Sequence, residues 1–363
     1  MTPTRWPILT SEDFHAVSSV MKSGVLVKGP TATQLEKAFA AYIGVPYCRA
    51  VSSCTHAIHM SLRALGIGPG DEVLVPNLTY CGTVSPVLNC GATPIFVDVA
   101  AHDYNISVSD AVAKRTCRTK AVIPVHLHGY PCDVHALSEA LPELPIVEDA
   151  CQAHGASRHG EYAGSWGIVS CFSLNQVKPL CGGQGGLVVT NSADVWVRLT
   201  DLASPGRNDT IGLSYEITEL SAAIAVSQLQ RLDNVLDVAN RNYEFFTQCL
   251  DAQYRDIVQL CEDGIRPTWH KLRLRMPSPV RDRLIAALDR EGVPYETWPG
   301  TLVSERSEYR HLTAVTPLST AIMQSSFVLG NEKYPFHAQT AATIEHWASI
   351  INSELRLSGK AGT

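Results

Sequence analysis

Apolar residues first recur at helical spacing over residues 11–41, where Phe14, Val17, Val20 and Met21, and later Leu35, Phe39 and Tyr42, mark two helices separated by the loop from Gly24 to Gly29. The period then changes. Residues 48–53 read as a short strand, and residues 56–65 as a helix with Ala57, Ile58, Leu62 and Leu65 on one face. Short apolar runs at 72–76, 94–98, 121–126 and 145–149 follow, with helical segments at 83–90 and 134–141 between them. Such alternation predicts an α/β fold with a mainly parallel sheet. Two further strands, 168–174 and 187–190, flank a lysine and a glycine-rich turn, and amphipathic helices are expected at 220–232 and 242–250. Beyond them, strand-like stretches at 268–276 and 293–297 and helices at 280–291 and 338–355 predict a smaller α+β unit. The expected division is a large three-layer α/β/α domain over residues 1–245, N-terminal helices included, and a small domain over 246–363.

Composition narrows the partners. A net charge of −6 and a mean hydropathy of +0.02 give no basic face for nucleic acid and no polybasic stretch for a membrane surface. The opening residues carry no basic segment followed by an apolar one, and no run reaches the roughly eighteen apolar residues of a membrane helix, so a cytoplasmic protein is expected. Eleven cysteines, an odd number with no C-x-x-C pair, argue against a disulfide framework or a zinc site.

Candidate chemistry gathers around Lys178, a few residues past the end of the 168–174 strand. Alone, such a lysine is ordinarily a solvated surface residue. Thr55 reads as the N-cap of the 56–65 helix, and a strand entering a helix through small hydroxyl residues leaves free N–H groups able to hold a phosphate, although an ordinary cap explains it equally. Tyr80 falls in a loop at the carboxyl end of a parallel strand, where open α/β folds carry ligand contacts. Asp149 ends a buried strand and needs a cationic partner, with helix capping or a metal as the alternatives. His126, His128 and His154 lie on separate segments without His-Glu-x-x-His spacing, which disfavours a metal. Gly182-Gly-Gln-Gly-Gly precedes a strand and not a helix, so it is not a nicotinamide loop. His270, Trp298 and the 330–335 segment are candidates to line a substrate entrance, Trp298 being read more readily as core.

Taken together, Ser53-Cys-Thr-His-Ala-Ile-His, Leu65-Gly-Ile-Gly-Pro-Gly-Asp-Glu-Val, Gly91-Ala-Thr-Pro-Ile-Phe-Val-Asp-Val, Pro124-Val-His-Leu-His-Gly, Glu148-Asp-Ala-Cys-Gln-Ala-His-Gly-Ala, Phe172-Ser-Leu-Asn-Gln-Val-Lys, Gly185-Gly-Leu-Val-Val-Thr and Glu219-Leu-Ser-Ala-Ala-Ile-Ala-Val-Ser-Gln-Leu resemble the DegT/StrS-type sugar aminotransferases, in order and spacing, from about residue 8 to 245. The resemblance implies the fold of the type I pyridoxal 5'-phosphate (PLP) enzymes, and a homodimer with shared active sites. It implies that Lys178 forms the Schiff base with the cofactor and shuttles protons, and that Asp149 pairs with the pyridine nitrogen. Gln152 would touch the phenolic oxygen, Tyr80 would stack on the ring, and Ser173, Cys54 and Thr55 would contact the phosphate. The substrates implied are an amino donor, glutamate or glutamine, and a keto-sugar, keto-cyclitol or related polyol. Two departures stand out: Gln184 replaces the family's usual Glu, and Ser214-Tyr215-Glu216 replaces its Asn-x-Arg, whose Asn reaches the phosphate of the neighbouring subunit. Ser214 remains a donor there. The changed charges leave open another PLP reaction, such as epimerisation, decarboxylation or condensation, or a non-catalytic homologue.

Overall fold

Strands buried on both faces are written as continuous apolar runs, and Glu72–Pro76, Val169–Ser173 and Gly186–Thr190 are buried at every position. The computed structural model describes residues 2–203 and 212–360. Thr93–Val97, Glu72–Pro76 and Thr119–Val122 form one parallel set, and Val147–Asp149, Val169–Ser173, Gly186–Thr190 and Tyr47–Val51 form another in that spatial order. Parallel bridges Val122–Ile146 and Val125–Asp149 join the two sets into one sheet. Only Gly186–Thr190 runs against its neighbours, so the sheet is mainly parallel, as the alternation predicts.

Side chains alternate between two cores across this sheet. Val73, Val75, Val169, Cys171 and Val188 face the helix Cys54–Ala64 and its neighbour Cys81–Asn89. Phe172, Leu187 and Val189 face the opposite layer, built from Pro30–Ile43 and Glu219–Leu229. Towards the C-terminus, Leu272–Arg275, Ser326–Leu329 and Tyr295–Glu296 form an antiparallel sheet in that order. It packs under the helix Ser278–Glu291 through Leu284 and Leu288, and under the C-terminal helix through Ile344 and Trp347.

One helix belongs to both parts. Leu232–Cys249 places Leu232 and Leu236 in the core beneath the main sheet, and Ala239, Tyr243 and Phe246 in the C-terminal core. It starts ten residues before the expected 242, because Asp233, Asn234, Asp237, Asn240 and Arg241 dilute its single apolar face. Asn240 is not idle, since it donates to the Pro267 carbonyl at 3.0 Å and accepts from Trp269 Nε1 at 3.2 Å.

The strand Val147–Asp149 points its two carboxylates to opposite faces, as strand geometry requires. Glu148 is fully buried and accepts from Gly164 N at 2.8 Å, Trp166 N at 2.9 Å, Gly167 N at 2.5 Å, Ser170 Oγ at 2.9 Å and His126 Nε2 at 2.9 Å. Cys132 N donates to His126 Nδ1 at 2.9 Å, which leaves Nε2 as the ring's N–H. Burial alone would raise the Glu148 pKa, but His126 and the backbone amides outweigh it and hold the carboxyl below its ordinary 4.5. A depressed carboxylate stabilises the fold above its unfolded value, and that stability is lost as pH falls below about 4.5 towards the folded value. Glu148→Gln is therefore expected to destabilise the protein by about 3 kcal/mol or more at neutral pH. Urea unfolding between neutral pH and about 4 should show the wild-type advantage shrinking with acid and the variant's profile flatter.

Candidate active site

The chain leaves the sheet at Leu174 and returns at Gly185, closing a loop through Leu174 N to Gly185 O at 2.9 Å, Gly182 N to Leu174 O at 2.9 Å and Gln176 N to Gly183 O at 3.0 Å. Lys178 rides in this loop. Its N–H donates to Asn175 O at 2.9 Å, and its carbonyl accepts from Trp6 Nε1 at 3.2 Å. Trp6 is buried and packs edge-on against His337 with ring centroids 4.8 Å apart, so the N-terminal segment braces the lysine's backbone. Among the described residues the Lys178 ammonium has no hydrogen-bond or ion-pair partner. At Gly186 a Cβ would lie 2.4 Å from the Ser53 carbonyl carbon and 2.6 Å from Cys54 N, so glycine is what lets this strand touch the start of the helix Cys54–Ala64.

Seven of the eight residues singled out in the sequence line one cavity of about 420 Å³: Cys54, Thr55, Tyr80, Asp149, Gln152, Ser173 and Lys178. It opens over the carboxyl ends of the parallel strands, where open α/β sheets hold ligands. Asp149 is 2% exposed, and its carboxylate accepts from Thr83 Oγ1 at 2.7 Å and Cys151 N at 3.1 Å. The Gln152 Oε1 accepts from His128 N at 2.7 Å, which leaves its amide NH2 as the donor for the cavity.

The helix start differs from expectation in one respect. Ser53, not Thr55, is the N-cap: its backbone is extended (φ −167°, ψ 162°) and its side chain accepts from His56 N at 3.1 Å. Helical geometry therefore begins one residue before Thr55, which sits in the first turn. His56 N and Ala57 N are bonded to Ser53, so the Cys54 and Thr55 N–H groups remain for an anion. A Cβ on Gly82 would stand 2.8 Å from Thr55 Oγ1 and 2.9 Å from Tyr80 Cδ1, so this glycine keeps that end of the cavity open.

Ser214 is not brought to this cavity. It is exposed, with a left-handed φ of 52°, on the strap whose Tyr215 carbonyl accepts from Ser52 N at 2.9 Å. Tyr215 stacks on His56 with centroids 3.9 Å apart. The two departures have in-chain partners: Glu216 pairs with Lys28 at 2.8 Å, and Gln184 accepts from Asn175 Nδ2 at 2.9 Å at the cavity edge.

The C-terminal part supplies the far wall through His270, Lys271, Trp298 and Glu332. His270, Trp298 and, from the 330–335 segment, Glu332 thus line the cavity, and Lys271, Thr83 and Cys151 are additions. Nothing local marks Thr83, whose partner is 66 residues away, whereas Lys271 is signalled only by its neighbour His270. The donor set fits PLP: a buried carboxylate with unused acceptor capacity for a ring nitrogen, two free N–H groups with the hydroxyls of Thr55 and Ser173 for a phosphate, and an unpartnered amine.

Comparison with known proteins agrees. Residues 7–334 match the DegT/DnrJ/EryC1/StrS aminotransferase family model. GDP-perosamine synthase of Caulobacter vibrioides is 35% identical over 278 residues, covering 73% of this chain and 75% of the relative. The spore coat polysaccharide biosynthesis protein SpsC of Bacillus subtilis is 32% identical over 316 residues, 80% of each chain. Among solved structures, DesV of S. venezuelae in complex with a ketimine intermediate superposes with a TM-score of 0.88 at 29% identity, covering 97% of this chain and 98% of that one. This chain belongs to the DegT/DnrJ/EryC1/StrS aminotransferase family and is a PLP-dependent aminotransferase.

Proposed function

We propose that this enzyme moves an amino group from glutamate or glutamine to a keto group on a sugar, cyclitol or related polyol. The observation that carries the reading is the convergence of Lys178, Asp149 and Gln152 on one cavity that the start of the helix Cys54–Ala64 also lines. Support for the acceptor class comes from the relatives: GDP-perosamine synthases and a spore coat polysaccharide protein. No observation favours another reaction or a non-catalytic role, because Gln184 and Glu216 are both accounted for by in-chain partners.

Bound in this cavity, PLP supplies an electron sink that makes the donor's α carbon acidic. Asp149, fixed by Thr83 and Cys151, would hold the ring nitrogen's proton; Gln152 would donate to the phenolic oxygen; Tyr80 would offer a stacking face. The Cys54 and Thr55 N–H groups and the Thr55 and Ser173 hydroxyls hold the phosphate. Lys178 Nζ, without a partner among the described residues, takes the proton from the donor carbon in one half-reaction and returns a proton to the acceptor carbon in the other.

The same reading has the enzyme act as a homodimer in which Ser214 serves the partner's phosphate. Supporting it is the exposed apolar strip of Phe14, Met21, Leu26 and Val27 on the side that carries the 214–218 strap, with Val27 bridged to Thr218. The division into a large and a small domain is part of the same reading, and the two cores that share the helix Leu232–Cys249 support it, although they change over between Leu236 and Ala239 and not at the expected 245–246. A cytoplasmic location is part of the proposal; among the described residues no helix is long and apolar enough to cross a membrane.

Purified wild type is expected to be yellow and to lose that absorbance on adding glutamate or glutamine, while Lys178→Ala does neither. A colourless wild type that binds no PLP would sink the reading. Thr83→Val keeps the volume but removes a hydrogen bond to a carboxylate worth about 1.5–3 kcal/mol, so PLP affinity, measured by absorbance titration, should fall roughly tenfold or more with little change in melting temperature.

A further inference from the structure

An amino donor brings a carboxylate into the cavity, and the keto acceptor that follows brings none at the same place. One wall has to serve both. Lys178 and Lys271 are the cationic side chains that line the cavity among the described residues, and Lys178 is committed to the chemistry.

Lys271 sits just before the strand Leu272–Arg275 with its side chain 7% exposed. Its ammonium is paired with Glu296, and its Nζ lies 5.8 Å from the Trp298 ring centroid. Burial pulls this ammonium below its ordinary range, even though Glu296 pulls the other way. Its neighbour His270 is 3% exposed, lines the same cavity, and has both ring nitrogens buried without a partner among the described residues. Burial, reinforced by Lys178 and Lys271, keeps that imidazole neutral, so one nitrogen carries an N–H with nothing to receive it. An unpartnered donor beside a buried cation is a site awaiting an anion. The segment is also registered to the cofactor wall: Thr268 Oγ1 donates to the Gln152 carbonyl at 2.7 Å and accepts from His270 N at 3.3 Å.

We propose that Lys271, with the neighbouring His270 turning its free N–H to the ligand, binds the carboxylate of the amino donor, and that Glu296 is the counter-ion it leaves when the donor enters and regains when the acceptor takes its place. A lone buried cation would be uncompensated through the second half-reaction, and a fixed ion pair would not hold the donor. A lysine on a flexible stem exchanges between two carboxylates, where a bidentate arginine is held in one geometry. Glu296 is itself held in place, accepting from Glu332 N at 2.5 Å.

The inference rests on the aminotransferase reading above, and the test separates the two. PLP-loaded protein is titrated with L-glutamate and L-glutamine, and the apparent donor Kd is read from the loss of cofactor absorbance in a single half-reaction. In Lys271→Met the donor Kd should rise roughly 30- to 100-fold with the PLP Kd unchanged, the scale expected for an unpaired carboxylate in a buried site. Glu296→Gln keeps the acceptor for Glu332 N but removes the competing charge, so its donor Kd should fall by roughly threefold or more. Opposite signs for the two halves of one ion pair are what a purely structural clamp would not give. A donor Kd within about twofold of wild type in Lys271→Met, or weakening of similar size in both variants, overturns the inference while wild-type conversion leaves the aminotransferase reading standing. A wild type that converts with neither donor overturns both.

Discussion

Two adjacent carboxylates at the end of one three-residue buried strand set the terms for the rest of the molecule. A buried carboxylate has to be surrounded by donors, and these two meet that demand differently. Glu148 collects five donors and is saturated, which pins the 164–167 loop and His126 to the strand. Asp149, on the opposite face, accepts from Thr83 and Cys151 and keeps capacity for a further, cationic partner. The saturated neighbour makes the strand end rigid, and the unsaturated one turns a carboxylate with spare acceptor capacity to the cavity.

The lysine opposite is positioned by structure from distant parts of the chain. The loop from Leu174 to Gly185 is closed by backbone bonds, and its Lys178 carbonyl is held by Trp6, whose ring leans on His337. The C-terminal part is coupled to the same place, because Thr268 ties the 268–271 segment to the Gln152 carbonyl. The helix Leu232–Cys249, shared between two cores, makes that coupling stiff. The two walls of the cavity are thus registered by a few bonds of high sequence separation.

The period of 3.6 makes the helix faces readable and continuous apolar runs make the main sheet readable, since both faces of each central strand are covered and little but apolar residues fits there. The lining of the cavity is readable where type and position coincide, as for Asp149 at a strand end and Lys178 before a glycine turn. Capping is less so: Ser53, Cys54 and Thr55 are all small, and which of them caps depends on the backbone turning at Ser53, held there by the close approach of Gly186. Thr83 and Lys271 are illegible for another reason. Their meaning lies in partners, Asp149 and Glu296, that only the fold brings within reach. Ser214 is the converse, a residue flagged in the sequence that lies outside the cavity of its own chain.

Lys178 as the residue that carries the cofactor can be tested by reducing the PLP-loaded protein with borohydride, digesting it and mapping the phosphopyridoxyl mass. The structure predicts a single modified peptide, the one containing Lys178. Modification at Lys271, the other amine of the cavity, or no stable incorporation at all, would contradict it.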